Sequence, residues 1–308
     1  MKIIRDMPVP EKCVLTVGKF ESIHLGHRAL INEVVGRAKQ IGAASAVMVF
    51  NPYPYSVFGD AEYTPLFTED ERIHLLEGLG VDYLLVQTFD REFAALSPED
   101  FCDKVFRDFK ARVIIVGEGY CFGHGRKGNV NFLRERAEMF GATVHVIAPT
   151  LSGSEKVSTS YIRSLLTANK LPEAQALLSF PFFVLGTTRK GRQIGREIGF
   201  PTMNLYPCDN DKSKFLPMDG VYATLTVIDG VSYRGITNVG FRPTVSEQKK
   251  CRSVETHLLE SPDGLTVREF YGQTIKTEFL HFIRPEKKFA SIEELKAGIA
   301  EDIKRILI

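Results

Sequence analysis

The first 180 residues alternate short apolar runs with helix-length patterns, and beyond them that alternation stops. The apolar runs are Val14–Val17, Ala46–Phe50, Tyr83–Val86, Val113–Val116 and Thr143–Ile147. Runs this short and this continuous suit strands covered on both faces. Between them Leu30, Ile31, Val34, Val35 and Ala38 recur at helical spacing. Thr68-Glu69-Asp70-Glu71 reads as a capping box. Ser97-Pro98-Glu99-Asp100 supplies a cap, a proline at the first helical position and acids in the first turn. Such alternation predicts a doubly wound parallel sheet with ligands at the carboxyl ends of its strands.

A helical stretch over 159–178 closes that half. After Pro181 the pattern is strands and turns: 182–188, 221–228, 231–238, 254–259 and 275–282. Asp229-Gly230 between two of these runs predicts a tight hairpin, because a two-residue turn needs positive φ. Ser291-Ile292-Glu293-Glu294 caps a terminal helix. The expected architecture is α/β plus β: a parallel-sheet domain over 1–180, then a small antiparallel β-barrel with a terminal helix over 181–308. The change of pattern further predicts that 182–308 folds and works by itself.

The whole chain has 308 residues and a net charge of +1. Up to residue 180 there are 20 basic and 22 acidic residues, and beyond it 19 and 16. Neither part carries the basic excess of a duplex-binding surface, so no nucleic-acid partner is expected. No apolar run reaches the 18 or so residues of a membrane span, and the N-terminus lacks the apolar region of a signal peptide. The five cysteines (13, 102, 121, 208 and 251) are scattered without Cys-x-x-Cys spacing. A zinc site or a disulfide framework is not expected, and the reading is a reducing cytoplasm. Nothing in the residues points to a homo-oligomer.

Two segments of the first half carry chemistry. Gly18-Lys19-Phe20-Glu21-Ser22-Ile23-His24-Leu25-Gly26-His27 follows the first run and opens the first helix. Glycines let a backbone approach phosphate, and a helix start offers unpaired N–H groups. Two imidazoles three residues apart can share one site and hydrogen-bond phosphate oxygens as charge develops. A chance pair beside a turn, or half a metal site, is the plainer alternative. Val157-Ser158-Thr159-Ser160-Tyr161-Ile162-Arg163 begins a later helix, and its hydroxyls and Arg163 form a candidate triphosphate cradle. An N-cap with a solvated arginine would look the same. The glycine-rich basic stretch Gly117–Gly128 is read either as a cover for a nucleotide or as a surface loop.

In the second half, Gly191-Arg192-Gln193-Ile194-Gly195-Arg196-Glu197-Ile198-Gly199-Phe200-Pro201-Thr202-Met203-Asn204 joins three glycines, two arginines and a stiffening proline. Thr202 and Asn204 alternate in an extended segment and so share a face, where oxygen ligands can bind Mg²⁺ and phosphate. A glycine-rich β-connection is the alternative. Glu255 sits in an otherwise apolar alternating run, placed to accept a proton from a substrate hydroxyl. An exposed strand carboxylate is the plain reading.

The order of the first-half segments resembles the nucleotidyltransferase superfamily, and the Phe122-Gly123 loop is most similar to its FMN adenylyltransferase branch. The second half resembles the riboflavin kinase domain over 182–305. Together they resemble the bacterial bifunctional riboflavin kinase/FMN adenylyltransferase, or FAD synthetase, family. The resemblance implies phosphorylation of riboflavin to FMN by ATP, then adenylylation of FMN to FAD with release of pyrophosphate, both with Mg²⁺. It implies that Gly18, Phe20, His24, Gly26, His27, Thr159, Ser160 and Arg163 bind the nucleotide in the first half. In the second half it implies that Gly191, Gly195 and Gly199 form a loop over ATP, that Thr202 and Asn204 bind Mg²⁺–ATP, that Glu255 is the general base and that Arg284 lies near the flavin.

Family members usually carry Asn-Phe-Asp-Gly where this chain has Lys19-Phe20-Glu21-Ser22. They usually carry an acid and a His or Gln at the Asn51–Pro54 segment, Ser-Ser-Thr at 158–160, and Ala at Met203. A serine at 22 strains the turn if φ is positive there. The expectation is therefore that FAD formation persists as the weaker activity. Two further readings stay open: a riboflavin kinase with an altered first half, and a flavin-binding regulatory protein. Thr202, Asn204 and Glu255 together argue against the second of these.

Overall fold

The structure is a computed structural model that describes the chain except residues 59–62, 191–193, 206, 208–213, 242–251, 260–269 and 308. Contacts divide it into two units. The first comprises Met1–Pro65 and Glu69–Thr159, the second Leu66–Thr68 and Ser160–Ile308.

In chain order the first unit holds β1 (Lys2–Arg5), β2 (Cys13–Val17), α1 (Leu25–Ile41), β3 (Ala44–Asn51), α2 (Pro54–Phe58), α3 (Glu69–Glu77), β4 (Tyr83–Thr88), α4 (Arg91–Ala94) and α5 (Pro98–Asp103). A π-helical turn over Lys104–Asp108 continues α5. Then come β5 (Ala111–Gly117), β6 (Cys121–Phe122), β7 (Gly128–Asn129), α6 (Val130–Met139), β8 (Thr143–Ile147), β9 (Leu151–Ser152) and β10 (Glu155–Lys156). Six strands form one parallel sheet in the order β1-β4-β3-β2-β5-β8. All five expected runs are strands of it. The sixth, β1, is mostly exposed and carries too little apolar sequence to announce itself. Val14, Leu15, Val47, Met48 and Ile114 are sealed from water, as a sheet covered on both faces requires. The order turns back between β2 and β5, so the crevice that binds ligands in such sheets lies beyond the carboxyl end of β2.

The second unit begins with α7 (Thr159–Thr167), whose first residue still counts with the first unit, and α8 (Leu171–Leu178). There follow β11 (Phe183–Arg189), α9 (Ile194–Glu197), β12 (Met203–Leu205), β13 (Gly220–Ile228), β14 (Val231–Phe241), β15 (Arg252–Leu258), β16 (Thr274–Arg284) and α10 (Ile292–Leu307). The strands close into an antiparallel barrel in the order β11-β12-β15-β14-β13-β16. Asp229 and Gly230 have φ of 49° and 80°, so the expected hairpin turn joins β13 to β14. The contact division falls at Ser160, whereas the sequence pattern changes at residue 180, because α7 and α8 count with the barrel. Gln175 of α8 donates to the Phe279 carbonyl of β16 at 2.6 Å.

Inside the barrel, hydroxyls take the place of part of an apolar core. Thr224, Thr237 and Thr256 form a chain with oxygen separations of 2.8 Å, and each is at most 1% exposed. Two hydrogen bonds join the three hydroxyls, and Thr237 in the middle bonds to both of its neighbours.

Candidate functional sites

The first site is built on the turn that follows β2. Phe20 and Ile23 take left-handed φ of 41° and 45°. Ser22, where the sequence suggested a strained turn, has no positive φ, so the strain falls on its neighbours. Its hydroxyl instead pairs with that of Thr159 at 2.8 Å. Gly18 is required by packing, since a Cβ there would lie 2.9 Å from the Phe20 ring.

His24 caps α1 with extended backbone, and its Nδ1 accepts the His27 backbone N–H at 3.2 Å. A neutral ring that accepts at Nδ1 carries its proton on Nε2. The His24 and His27 rings stack at 3.7 Å and 10°. Phe20, buried beneath them, lies 5.0 Å from His27. Burial, with a smaller push from Lys156, lowers the His24 imidazole to about 4. Burial and then His24 hold His27 well below its ordinary value. Two uncharged imidazoles therefore stand at a helix N-terminus, able to donate hydrogen bonds without a proton being taken up first. A Cβ on Gly26 would come 3.2 Å from the His24 ring.

Gly18, Phe20, His24, Gly26, His27 and Thr159 thus gather in one place. Ser160 and Arg163 count with the second unit, where the Arg163 guanidinium lies 4.6 Å over Phe215. Lys19 holds its ammonium 3.6 Å over the Tyr55 ring. Glu21 is buried and accepts from the Tyr63 hydroxyl, while Asn51 donates to Glu69. The Gly117–Gly128 stretch is folded upon itself. A Cβ on Gly123 would lie 2.8 Å from the Pro98 nitrogen, and one on Gly128 2.6 Å from the Phe122 ring.

Sequence reasoning missed Arg72, which is 1% exposed on α3. It donates to the Lys19 carbonyl at 3.0 Å and the Phe50 carbonyl at 3.1 Å, and lies 4.6 Å over Tyr53. One buried cation thereby ties the end of β3 to the turn after β2. An arginine in a helical pattern does not advertise which carbonyls it will find.

The second site lies on the outer face of the barrel. Met203, Thr237 and Thr256 face each other across β12, β15 and β14 and are buried inward. Residues alternate along a strand, so Asn204, Glu255 and Asn238, which also pair with one another, face outward. There a cavity of about 300 Å³ is lined by Thr202, Asn238, Glu255, His257 and Arg284. Helix α10 closes it with Leu295, Ile299 and Asp302. The substitution at Met203 thus falls in the barrel interior, on the face opposite Asn204.

Polar contacts order this cavity. Ser253 donates to Glu255 at 3.3 Å, and Asn238 donates to Glu286 at 3.1 Å. His257 donates from Nδ1 to the Pro201 carbonyl at 2.8 Å, next to Thr202. Burial lowers the His257 imidazole, so it is neutral with a lone pair at Nε2. Arg284 grips Asp302 with Nε at 2.9 Å to both oxygens and Nη2 at 2.7 Å. It also donates to the Pro285 carbonyl at 2.9 Å. Asp302 had no sequence signal, since an acid in an amphipathic helix normally reads as solvated.

Gly195 lines the cavity, but its own need is local, because a Cβ there would lie 2.4 Å from the Phe200 carbonyl oxygen. Gly199 has φ of 88°. Gly191 and Arg192 lie outside the described residues, as does the Arg196 side chain.

The FAD synthetase family model matches residues 6–161, and the riboflavin kinase family model matches 178–307. A bifunctional riboflavin kinase/FMN adenylyltransferase of Escherichia coli K12 is 34% identical over 98% of this chain and 96% of its own. One of Bacillus subtilis is 34% identical over 94% and 90%. A solved structure from Streptococcus pneumoniae, described as a macrolide-efflux protein, is 26% identical and superposes with a TM-score of 0.85, covering 98% of this chain and 97% of that one. No helix among the described residues is long and apolar enough to cross a membrane.

Proposed function

Since the chain belongs to the bifunctional riboflavin kinase/FMN adenylyltransferase family and carries both activities, we propose how its residues divide the two reactions. Residues 181–308 phosphorylate riboflavin, and residues 1–180 convert FMN to FAD. The reactants are riboflavin, FMN and ATP, and the work is cytoplasmic, where ATP is supplied.

In the kinase step Glu255 accepts the proton of the riboflavin 5′-hydroxyl as its oxygen attacks the γ-phosphorus of ATP, the bond from that phosphorus to the β,γ-bridging oxygen breaks, and ADP departs. The observation that carries this role is its position on a cavity wall, with Thr202 beside it and Asn204 and Asn238 directly across the ladders. Thr202 and Asn204 are hard oxygen donors close to a single carboxylate, which fits Mg²⁺ that keeps waters and substrate phosphates as its other ligands. When bound, Mg²⁺ neutralises phosphate charge. Arg284 lies toward the flavin, and Gly191, Gly195 and Gly199 shape the loop over the nucleotide.

In the adenylyltransferase step an FMN phosphate oxygen attacks the α-phosphorus of ATP and pyrophosphate departs. His24 and His27 donate hydrogen bonds to phosphate oxygens at the α1 N-terminus, where the helix dipole favours the same charge. Gly18, Phe20 and Gly26 hold that turn. Thr159, Ser160 and Arg163 take the triphosphate. Positioning is the main task, since the protein forms no bond to the substrate in either step.

The test is direct. Purified chain incubated with riboflavin, ATP and Mg²⁺ should yield FMN and then FAD, resolved chromatographically. FMN without FAD would favour the kinase with an altered first half, and neither product would sink the proposal.

A further inference from the structure

Lys214 is a charged residue only 6% exposed. Its ammonium sits 4.4 Å from the Phe67 ring, 5.0 Å from Phe182 and 5.8 Å from Phe183. It donates to the Leu66 carbonyl at 3.0 Å. A buried ammonium needs such replacements for water, and ring faces with a carbonyl oxygen supply them. Phe67 is itself sealed from water, with Phe183 at 5.1 Å, Phe182 at 5.4 Å and Phe180 at 5.7 Å. These contacts make Leu66–Thr68 part of the second unit, although the FAD synthetase family model spans them and the riboflavin kinase model begins at 178.

The place where the three residues dock is mechanically central. Phe183 opens β11, and Phe182 just before it holds β16 through its carbonyl to the Phe279 N–H at 2.8 Å. The far end of β11 pairs with β12, Arg189 opposite Asn204. The far end of β16 is Arg284. A plug at the root of β11, beside the middle of β16, thus supports the strand that pairs with Asn204 of β12 and the strand that ends in Arg284.

We propose that Leu66–Thr68 form a strap that completes the riboflavin kinase, with Phe67 seated in a socket of Phe180, Phe182, Phe183 and Lys214, so that the kinase is assembled from two stretches of sequence. This rests on the assignment of the kinase to the second unit. The consequence is specific: a residue inside the adenylyltransferase stretch controls FMN formation and spares FAD formation.

The full chain carrying Phe67→Ala tests it, with two assays and a thermal melt. FMN formation from riboflavin should fall at least about tenfold at 37 °C. The transition of the second unit should drop by about 10 °C or more, the usual consequence of emptying a buried phenylalanine site. FAD formation from supplied FMN should stay within about twofold of wild type, which also reports that the first unit is folded. Phe67→Leu, which refills most of the volume, should recover much of the FMN formation. Lys214→Met, which keeps length and removes charge, should move FMN formation without moving FAD formation. Unchanged FMN formation by Phe67→Ala beside an active wild type would overturn the strap, as would an equal fall of both activities or a fall of FAD formation alone. A wild-type chain that makes no FMN would overturn the kinase assignment and the strap's role with it.

Discussion

Glu255 stands directly opposite Asn204 across the β12–β15 ladder, and opposite Asn238 on its other side. Glu255 lines the cavity with Asn238 and His257, and Ser253 donates to it at 3.3 Å. Glu255→Gln should therefore lower FMN formation by about 10²–10⁴, the range for loss of a general base. FAD formation from supplied FMN should be unaffected. Rates of the two half-reactions, measured separately on the folded variant, decide it. Near-normal FMN formation would remove Glu255 from the mechanism.

The Arg284–Asp302 pair makes a second prediction. Asp302 is only 2% exposed, and three contacts join the two side chains. Removing one partner of a buried pair leaves the other charge unpaired, at about 3–5 kcal/mol. Asp302→Ala should loosen α10 over the cavity, lower the melting point of the second unit and raise KM for the kinase substrates more than it lowers kcat. A variant that melts like wild type with unchanged KM would show that the pair is dispensable.

His24 predicts a pH dependence for the first unit. Its folded value of about 4 lies below its ordinary 6.5, so between these the unfolded chain binds more protons. Stability is then undisturbed above about pH 6.5 and falls as pH drops toward 4. A depression of this size corresponds to on the order of 3 kcal/mol at the acid end. His27 shifts in the same direction and Lys156 adds to the effect. His24→Gln, which does not titrate, should flatten the melting-temperature profile over this window. An unchanged acid slope would place the proton uptake elsewhere.

Ser22 reverses an expectation. The sequence suggested that a serine at 22 strains its turn if φ is positive there. With no positive φ at Ser22 and its hydroxyl 2.8 Å from that of Thr159, the glycine variant should lose a hydrogen bond worth about 1 kcal/mol. FAD formation should stay level or fall. A clear rise in its rate would restore the strain argument.

Much of the fold was legible because periodicity reports burial. The strand runs of the first half are continuous where both faces are covered, and Asp229-Gly230 marks a turn few other residues can make. Thr202 and Glu255 were legible as an extended segment and an odd acid in an apolar run. What escaped were partnerships at long range. Arg72 finds two carbonyls, Asp302 finds Arg284 and Phe67 finds Lys214, each through the folded chain. A helix arginine, a helix acid and an apolar loop residue are unremarkable until their neighbours are known. The strained positions escaped by a similar route: Phe20 and Ile23 adopt left-handed backbone although neither residue type favours it.

The docking of Phe67 against Phe182, Phe183 and Lys214 also has a history in time. A ribosome releases the phenylalanine about 150 residues before the lysine, an interval on the order of ten seconds at ordinary synthesis rates. For that period a large apolar ring has no socket. With the proposed strap, the final packing of the barrel draws on more than its own stretch of message, in contrast to the expectation that 182–308 folds by itself. The barrel must collect a side chain left waiting from an earlier stretch, and the nascent chain carries a sticky patch until it does.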